Sequence, residues 1–350
     1  MLCNGVTQGT RIKKVQQARF AAAVSSHQDY SAARGNSEAE VFEKQLVVNG
    51  QAEVLHLHEL FSSPAGGGEV DIEIAGLPVM RFHRIQLLVQ SVGLVNLRVI
   101  QGQSMPAGWT GKLWALDQGL AVVETPLTLL LDADIELAPG IITALLDKRR
   151  QDGLKMVSLM ATLEARGFWE KLLLPAFVYF FKLLYPFRLS NSSLRWVAAG
   201  AGGCVLVDTG VLREVDAFAS LKHELIDDCA LAAQIKAAGH RIWTGLSRSV
   251  VSHRRYDGIG KIWEMVARTA YTQLRYSPLL LAGCVAVLSW AFWLPVIGLA
   301  AGDATSRLLS LIAMIAMIIT YLPTLRFYRL SPLWALLLPL TGTLYLAMTV

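Results

Sequence analysis

Hydrophobic positions along this chain fall into three regimes. After residue 277 they are nearly continuous, in stretches Pro278–Ala301, 308–325 and 332–350, each close to the ~20 residues a helix needs to cross a hydrocarbon core. Core helices rarely keep every face apolar over such lengths, so three membrane crossings are expected. Between residues 98 and 277, short apolar runs alternate with stretches at helical spacing, the pattern of an α/β domain. Residues 127–131, apolar except for Thr128, suit a strand buried on both faces of a parallel sheet. Pro139 then opens a helix whose Ile141, Ile142, Leu145 and Leu146 form a buried stripe. The first 97 residues are less regular: Gly66, Gly67 and Gly68 signal a turn, and 70–74, alternating with acids, reads as an edge strand.

Two segments read as helices lying on a membrane surface. Residues 168–187 gather eight aromatics around Lys171 and Lys182, a composition suited to the headgroup layer, with an apolar run too short to span. Residues 261–277 put Lys261, Glu264, Arg268, Tyr271 and Arg275 on one helical face and Ile262, Met265, Val266 and Ala270 on the other. Ordinary amphipathic helices on a globular domain would show the same periodicity, which does not say what the apolar face meets.

Charge sharpens this division. Of 32 Lys+Arg and 27 Asp+Glu, only Asp303, Arg307, Arg326 and Arg329 follow residue 277, which excludes a wholly soluble protein. Hydrophobic content of 53% with 28 Gly and 12 Pro excludes a disordered chain, a collagen or a coiled coil. A net charge of +5 is too mild to argue for nucleic acid. Arg326 and Arg329, in the connection before the third apolar stretch, place that connection in the cytoplasm by the positive-inside tendency, and with it the large polar region. Cys3, Cys204, Cys229 and Cys284 stand far apart, without zinc or disulfide spacing, as expected in a reducing compartment. Basic residues near the start have no apolar run after them, so no signal peptide is expected.

Candidate chemistry lies in the middle regime. Asp132-Ala133-Asp134 follows the apolar strand, where open α/β sheets bind ligands, and two such carboxylates can share Mg²⁺ or Mn²⁺ with phosphate oxygens. Solvated loop acids would look the same, but charges abutting a buried strand are costly unless used. Asp227 and Asp228 begin an Ala-rich helix that stops before Gly239. They either cap that helix or supply a general base, one acid anchored by helix amides and the other free to accept a proton. The small residues Gly200, Ala201, Gly202 and Gly203 precede a strand and permit close approach of a ligand or tight packing. Lys112 is a candidate phosphate contact, although Pro106 and Leu113 break any P-loop pattern. A haloacid-dehalogenase-like reading of Asp132 and Asp134 fails at Glu136, where Thr or Val would be needed.

In order along the chain these pieces resemble a family 2 glycosyltransferase of the GT-A fold. The run Gly111-Lys112-Leu113-Trp114-Ala115-Leu116-Asp117 resembles its Gly-Lys-x-x-Ala-Leu-Asn segment, with Asp117 for Asn. Asp132-Ala133-Asp134 resembles its metal-binding Asp-x-Asp, and Asp227-Asp228 its base motif. Four longer runs, beginning at Pro106, Leu174, Leu225 and Met265, are similar to the hopene-associated membrane branch. The segment Gln273-Leu274-Arg275-Tyr276 only loosely resembles the Gln-x-x-Arg-Trp motif of processive relatives. The resemblance implies a Rossmann-like mixed sheet at 98–277 followed by three transmembrane helices, and a multi-pass protein of the inner (plasma) membrane with its catalytic domain in the cytoplasm. It implies an inverting enzyme that moves a sugar from a nucleotide-sugar donor to a lipid or lipid-linked acceptor, possibly in hopanoid biosynthesis. Asp228 would be the base beside Asp227; Lys112, Asp132, Gly202, Gly203 and Arg275 would bind donor; Asp132 and Asp134 would hold Mg²⁺ or Mn²⁺. Residues 1–97 depart from the family, with no Asp-Asp-x-Ser to grip the nucleotide base, so an inactive homologue serving as a membrane-bound binding or scaffold protein stays open.

Overall fold

The computed structural model describes residues 45–49, 71–77 and 97–349 apart from 225 and 275, the first two segments by their backbone. Glycines 66–68 lie outside the described residues. The described strands are β1 (Gln45–Asn49), β2 (Asp71–Leu77), β3 (Leu97–Gln101), β4 (Leu127–Asp132), β5 (Ile135–Leu137), β6 (Met156–Leu163), β7 (Cys204–Asp208) and β8 (Ile242–Ser252). They form one mixed sheet in the order β3-β2-β1-β4-β7-β6-β8-β5.

β4 corrects one expectation. It is buried on both faces, but it runs antiparallel to both neighbours, β1 and β7, rather than in a parallel sheet. Alternation along the strand explains the burial: Leu129 and Leu131 pack with Ile142, Leu145 and Leu146, whereas Leu130 packs on the other face with Leu113, Leu116 and Ile235. β7 divides likewise, Val205 and Val207 to one face and Cys204 and Leu206 to the other. β2 is an interior strand between β3 and β1, not an edge, and β1 carries the sheet on to the flank of β4, opposing Gln45 to Asp132. The boundary drawn after residue 97 falls inside β3.

Helices α1 (Gly111–Val122), α5 (Thr209–Glu214) and α6 (Asp227–Ala237) cover the Leu130 face, and α2 (Ile141–Asp152) covers the other. α2 starts two residues after Pro139, with Gly140 as its N-cap in the left-handed region. Helices α3 (Phe168–Leu184), α4 (Phe187–Ser190) and α7 (Ile259–Gln273) lead to three helices long and apolar enough to cross a membrane: α8 (Pro278–Ala301), α9 (Ala304–Phe327), and a 3₁₀ turn at Pro332–Leu337 continuing as α10 (Leu338–Thr349). Cys204, Cys229 and Cys284 are free thiols.

The buried faces of α3 and α7 meet protein. Leu172, Leu173, Leu174 and Tyr179 of α3 share a cluster with Ile262 and Val266 of α7 and with Phe292, Tyr321, Leu325, Leu338 and Tyr345 of the apolar helices. Tyr345 donates to the Leu173 carbonyl (2.8 Å), and the rings of Phe180 and Tyr345 lie 4.9 Å apart. Arg248 of β8 donates to the carbonyls of Phe327 (2.8 Å) and Arg326 (2.9 Å) at the C-terminal end of α9, where carbonyls lack i+4 partners within the helix. The sheet domain and the C-terminal end of α9 therefore stand on the same side of the apolar bundle.

Lys236 shows how the sheet side is locked. This 4% exposed ammonium near the end of α6 donates to the carbonyls of Leu189, Ser190 and Val197, holding the loop that leads to the glycine-rich segment. Lys236→Met keeps the alkyl packing but takes the ammonium donor from the Ser190 and Val197 carbonyls, Leu189 still accepting from Ser192, at a cost of about 2 kcal/mol or more. The expected outcome is a drop of several degrees in Tm, read by thermal unfolding of the detergent-solubilised protein.

Candidate active site

The glycine-rich segment 198–203 runs through the domain almost without side chains, so its backbone polar groups need partners from elsewhere. Buried hydroxyls supply them. Ala199 N–H donates to Ser190 Oγ (2.8 Å), Ala201 N–H donates to Ser158 Oγ (2.8 Å), Ser158 donates back to the Ala201 carbonyl (3.0 Å), and Thr244 donates to the Ala199 carbonyl. Held this way, the segment lies against the start of α6. A Cβ on Gly200 would sit 2.2 Å from the Asp228 carbonyl oxygen, so only glycine fits there.

That close approach brings the acids together. Asp228 is gripped by two backbone amides: Gly202 N–H donates to Oδ2 (2.7 Å) and Cys229 N–H to Oδ1 (2.8 Å). Asp227 instead faces Lys112, 3.0 Å from its ammonium, and the same ammonium is 3.7 Å from Asp132 at the end of β4. Lys112 lies in the first turn of α1, where the helix dipole disfavours a cation, and these carboxylates offset that cost. Gly202 faces the centre of the group: a Cβ there would be 3.3 Å from Lys112 Nζ, 3.6 Å from Asp228 Oδ2 and 3.7 Å from Asp132 Oδ2. Gly203 faces the core, toward Ile135 and Ala161, and its carbonyl accepts from Asp132 N–H (3.4 Å).

Burial, and next the charge of Asp227, push the Asp228 carboxyl up to about 6, against the opposing pull of Lys112 and the two amides. Asp228 is thus both anchored by backbone amides and raised in proton affinity, two properties that the residue pattern alone assigns to different neighbours.

Asp134 is turned elsewhere. Its Oδ2 accepts from Ser252, and its carbonyl accepts from His253 N–H (2.8 Å), tying it to the end of β8. His253 in turn meets the carboxylates of Glu136 and Glu164. Asp132 and Asp134 are carboxylates of the kind Mg²⁺ and Mn²⁺ prefer, but of the two only Asp132 faces Lys112 and Gly202. Among the described residues no three His, Cys, Asp or Glu side chains are grouped so as to hold a metal ion. Arg275 lies outside the described residues.

Tyr185 enters the surroundings of this site unannounced by the sequence, where it counted only as one of the interfacial aromatics. At the end of α3 its hydroxyl donates to Gln273 Oε1 (2.7 Å) and lies within hydrogen-bond reach of Cys229, whose Sγ donates to the Gly200 carbonyl (3.3 Å). The helix seated on the apolar bundle is therefore linked to the residue that follows Asp228.

The chain belongs to glycosyl transferase family 21, whose family model matches residues 83–346. Among solved structures, the crystal structure of S. aureus TarS 1-349 in complex with UDP is similar at 13% identity, covering 76% of this chain and 77% of that chain with a TM-score of 0.28. Comparison with curated proteins returns no match. The protein is a glycosyltransferase by family, with a mixed α/β domain followed by three apolar helices that could span a membrane.

Two substitutions separate space for the fold from space for a ligand. Gly200→Ala is expected to lower Tm by several degrees, because backbone must move. Gly202→Ala should leave Tm nearly unchanged while weakening ligand binding at this group about tenfold or more, since its methyl occupies the centre of the charged group. Thermal unfolding and equilibrium binding check both.

Proposed function

We propose that the protein moves a sugar, with inversion, from a nucleotide-sugar donor to a lipid or lipid-linked acceptor at the cytoplasmic face of the inner membrane. The observation that carries this reading is the convergence of Lys112, Asp132, Asp227 and Asp228 around the side-chain-free face of Gly202. Asp228 takes the acceptor hydroxyl proton as the new oxygen–carbon bond forms and the bond from the anomeric carbon to the diphosphate breaks. Lys112 faces the donor's phosphates. Asp227 holds Lys112 in place and keeps the proton affinity of Asp228 high. Asp132 and Asp134 would hold Mg²⁺ or Mn²⁺, which when bound supplies charge stabilisation for the departing diphosphate.

The membrane part of the proposal is supported by the three apolar helices and by Arg248, which fixes the domain to the end of α9 where Arg326 and Arg329 lie. Basic connections favour the cytoplasm. The four runs similar to the hopene-associated branch support a hopanoid-related acceptor.

Transfer from a radiolabelled nucleotide sugar to membrane lipid tests the assignment. Asp228→Asn is expected to lose activity by at least about a hundredfold, and undiminished activity would remove the base. A base must be ionised to accept a proton, so kcat/KM should fall as pH drops through about 6. Lys112 holds the Asp228 proton affinity down, so in Lys112→Met the residual activity should show its acid limb at higher pH than the wild type.

A further inference from the structure

The fold divides the run Asp132-Ala133-Asp134. Asp132 ends β4 in the interior of the sheet, whereas Asp134 immediately precedes β5, which pairs antiparallel with the end of β8 and sets Ile135 opposite Ser252. Residues 133 and 134 form the turn between the two strands. The carboxylates consequently meet different partners. Asp132 lies 3.7 Å from the Lys112 ammonium and close to Gly202. Asp134 is held by β8 through both backbone and side chain: its carbonyl accepts from His253 N–H (2.8 Å), and its Oδ2 accepts from the Ser252 hydroxyl.

Ser252 is a well-fixed donor. It is 4% exposed, and its Oγ also accepts from Arg254 N–H (3.3 Å), so Asp134 is tied through it to the root of the connection from β8 to α7. Sharing one cation with Asp132 asks for a different arrangement, because oxygens bound to Mg²⁺ or Mn²⁺ at about 2.1 Å lie within about 4 Å of one another. Ser252 draws Asp134 to the end of β8 instead, by a hydrogen bond to a carboxylate, which is among the stronger kinds.

We propose that Ser252 is a latch that keeps Asp134 from the cation site, and that Asp134 gives up the Ser252 hydroxyl when it joins Asp132 in holding Mg²⁺ or Mn²⁺. The inference rests on the metal role proposed above for these two acids and adds the contact that this role must break. Release also loosens the root of the connection to α7, the helix that leads into α8. A residue that merely supports a metal ligand acts in the opposite sense: it orients the ligand, and its removal weakens metal binding.

Mn²⁺ alone is titrated into the full-length protein in detergent, with affinity read by calorimetry and no transfer activity measured. Ser252→Ala is expected to bind Mn²⁺ about tenfold more tightly than the wild type, because no hydrogen bond to the carboxylate has to be broken first. Misfolding would not mimic a gain in affinity. Asp134→Asn should bind Mn²⁺ more weakly, and in the wild type the His253 and Arg254 amides should exchange hydrogen faster once Mn²⁺ is added. Binding by Ser252→Ala at wild-type affinity or below would overturn the latch and leave the metal assignment standing, as would exchange at these two amides that Mn²⁺ does not change. No Mn²⁺ binding by the wild type and Ser252→Ala alike would overturn the latch together with the metal assignment.

Discussion

The close packing of segment 198–203 against the start of α6 is the constraint on which the rest of the site depends. Because residue 200 has no Cβ, the backbone of Asp228 can lie where a side chain would otherwise be. That contact lets the Gly202 amide reach the Asp228 carboxylate, points Asp227 at Lys112, and leaves a charged space between α6, α1 and the end of β4. The hydroxyls of Ser158, Ser190 and Thr244 make the contact affordable by satisfying a backbone that has no side chains of its own.

A second joint ties this site to the membrane part. α3 is seated among the apolar helices through Leu173, Tyr179 and Phe180, yet its last residues bring Tyr185 beside Cys229 and Gln273. β8 holds the end of α9 through Arg248 and anchors Asp134 through Ser252. Both links run from the bundle to residues flanking the candidate acids. A displacement of the bundle would therefore be felt at the site through packed side chains and two hydrogen-bonded contacts rather than through loops.

Much of this was legible from residue patterns. The apolar runs gave the three C-terminal helices, although α9 begins at Ala304 rather than 308, because Asp303 caps it by accepting from Ser306 N–H and Arg307 is carried within its first turn. The stripe Ile262, Met265, Val266 and Ala270 was read correctly as one face, but periodicity could not say that this face meets α3 and α10. The direction of β4 was hidden for a similar reason: an unbroken apolar run reports two covered faces, and antiparallel neighbours on both sides cover a strand as well as parallel ones do. Asp134 and Ser252 are 118 residues apart, as Tyr185 and Gln273 are 88, and contacts at such separations leave no local signature. Glycine runs, by contrast, announced a close approach, and only the partner had to come from the fold.

The central claim is that these acids and Lys112 form a nucleotide-sugar site, although residues 1–97 lack the Asp-Asp-x-Ser that the resemblance to family 2 enzymes implies. Calorimetric titration of the full-length protein with UDP and GDP, with and without Mn²⁺, tests it most directly. The account predicts binding of at least one nucleotide that requires the metal and is lost in Asp132→Asn. Absence of metal-dependent binding for both nucleotides would contradict it and leave a membrane-bound homologue that serves as a scaffold.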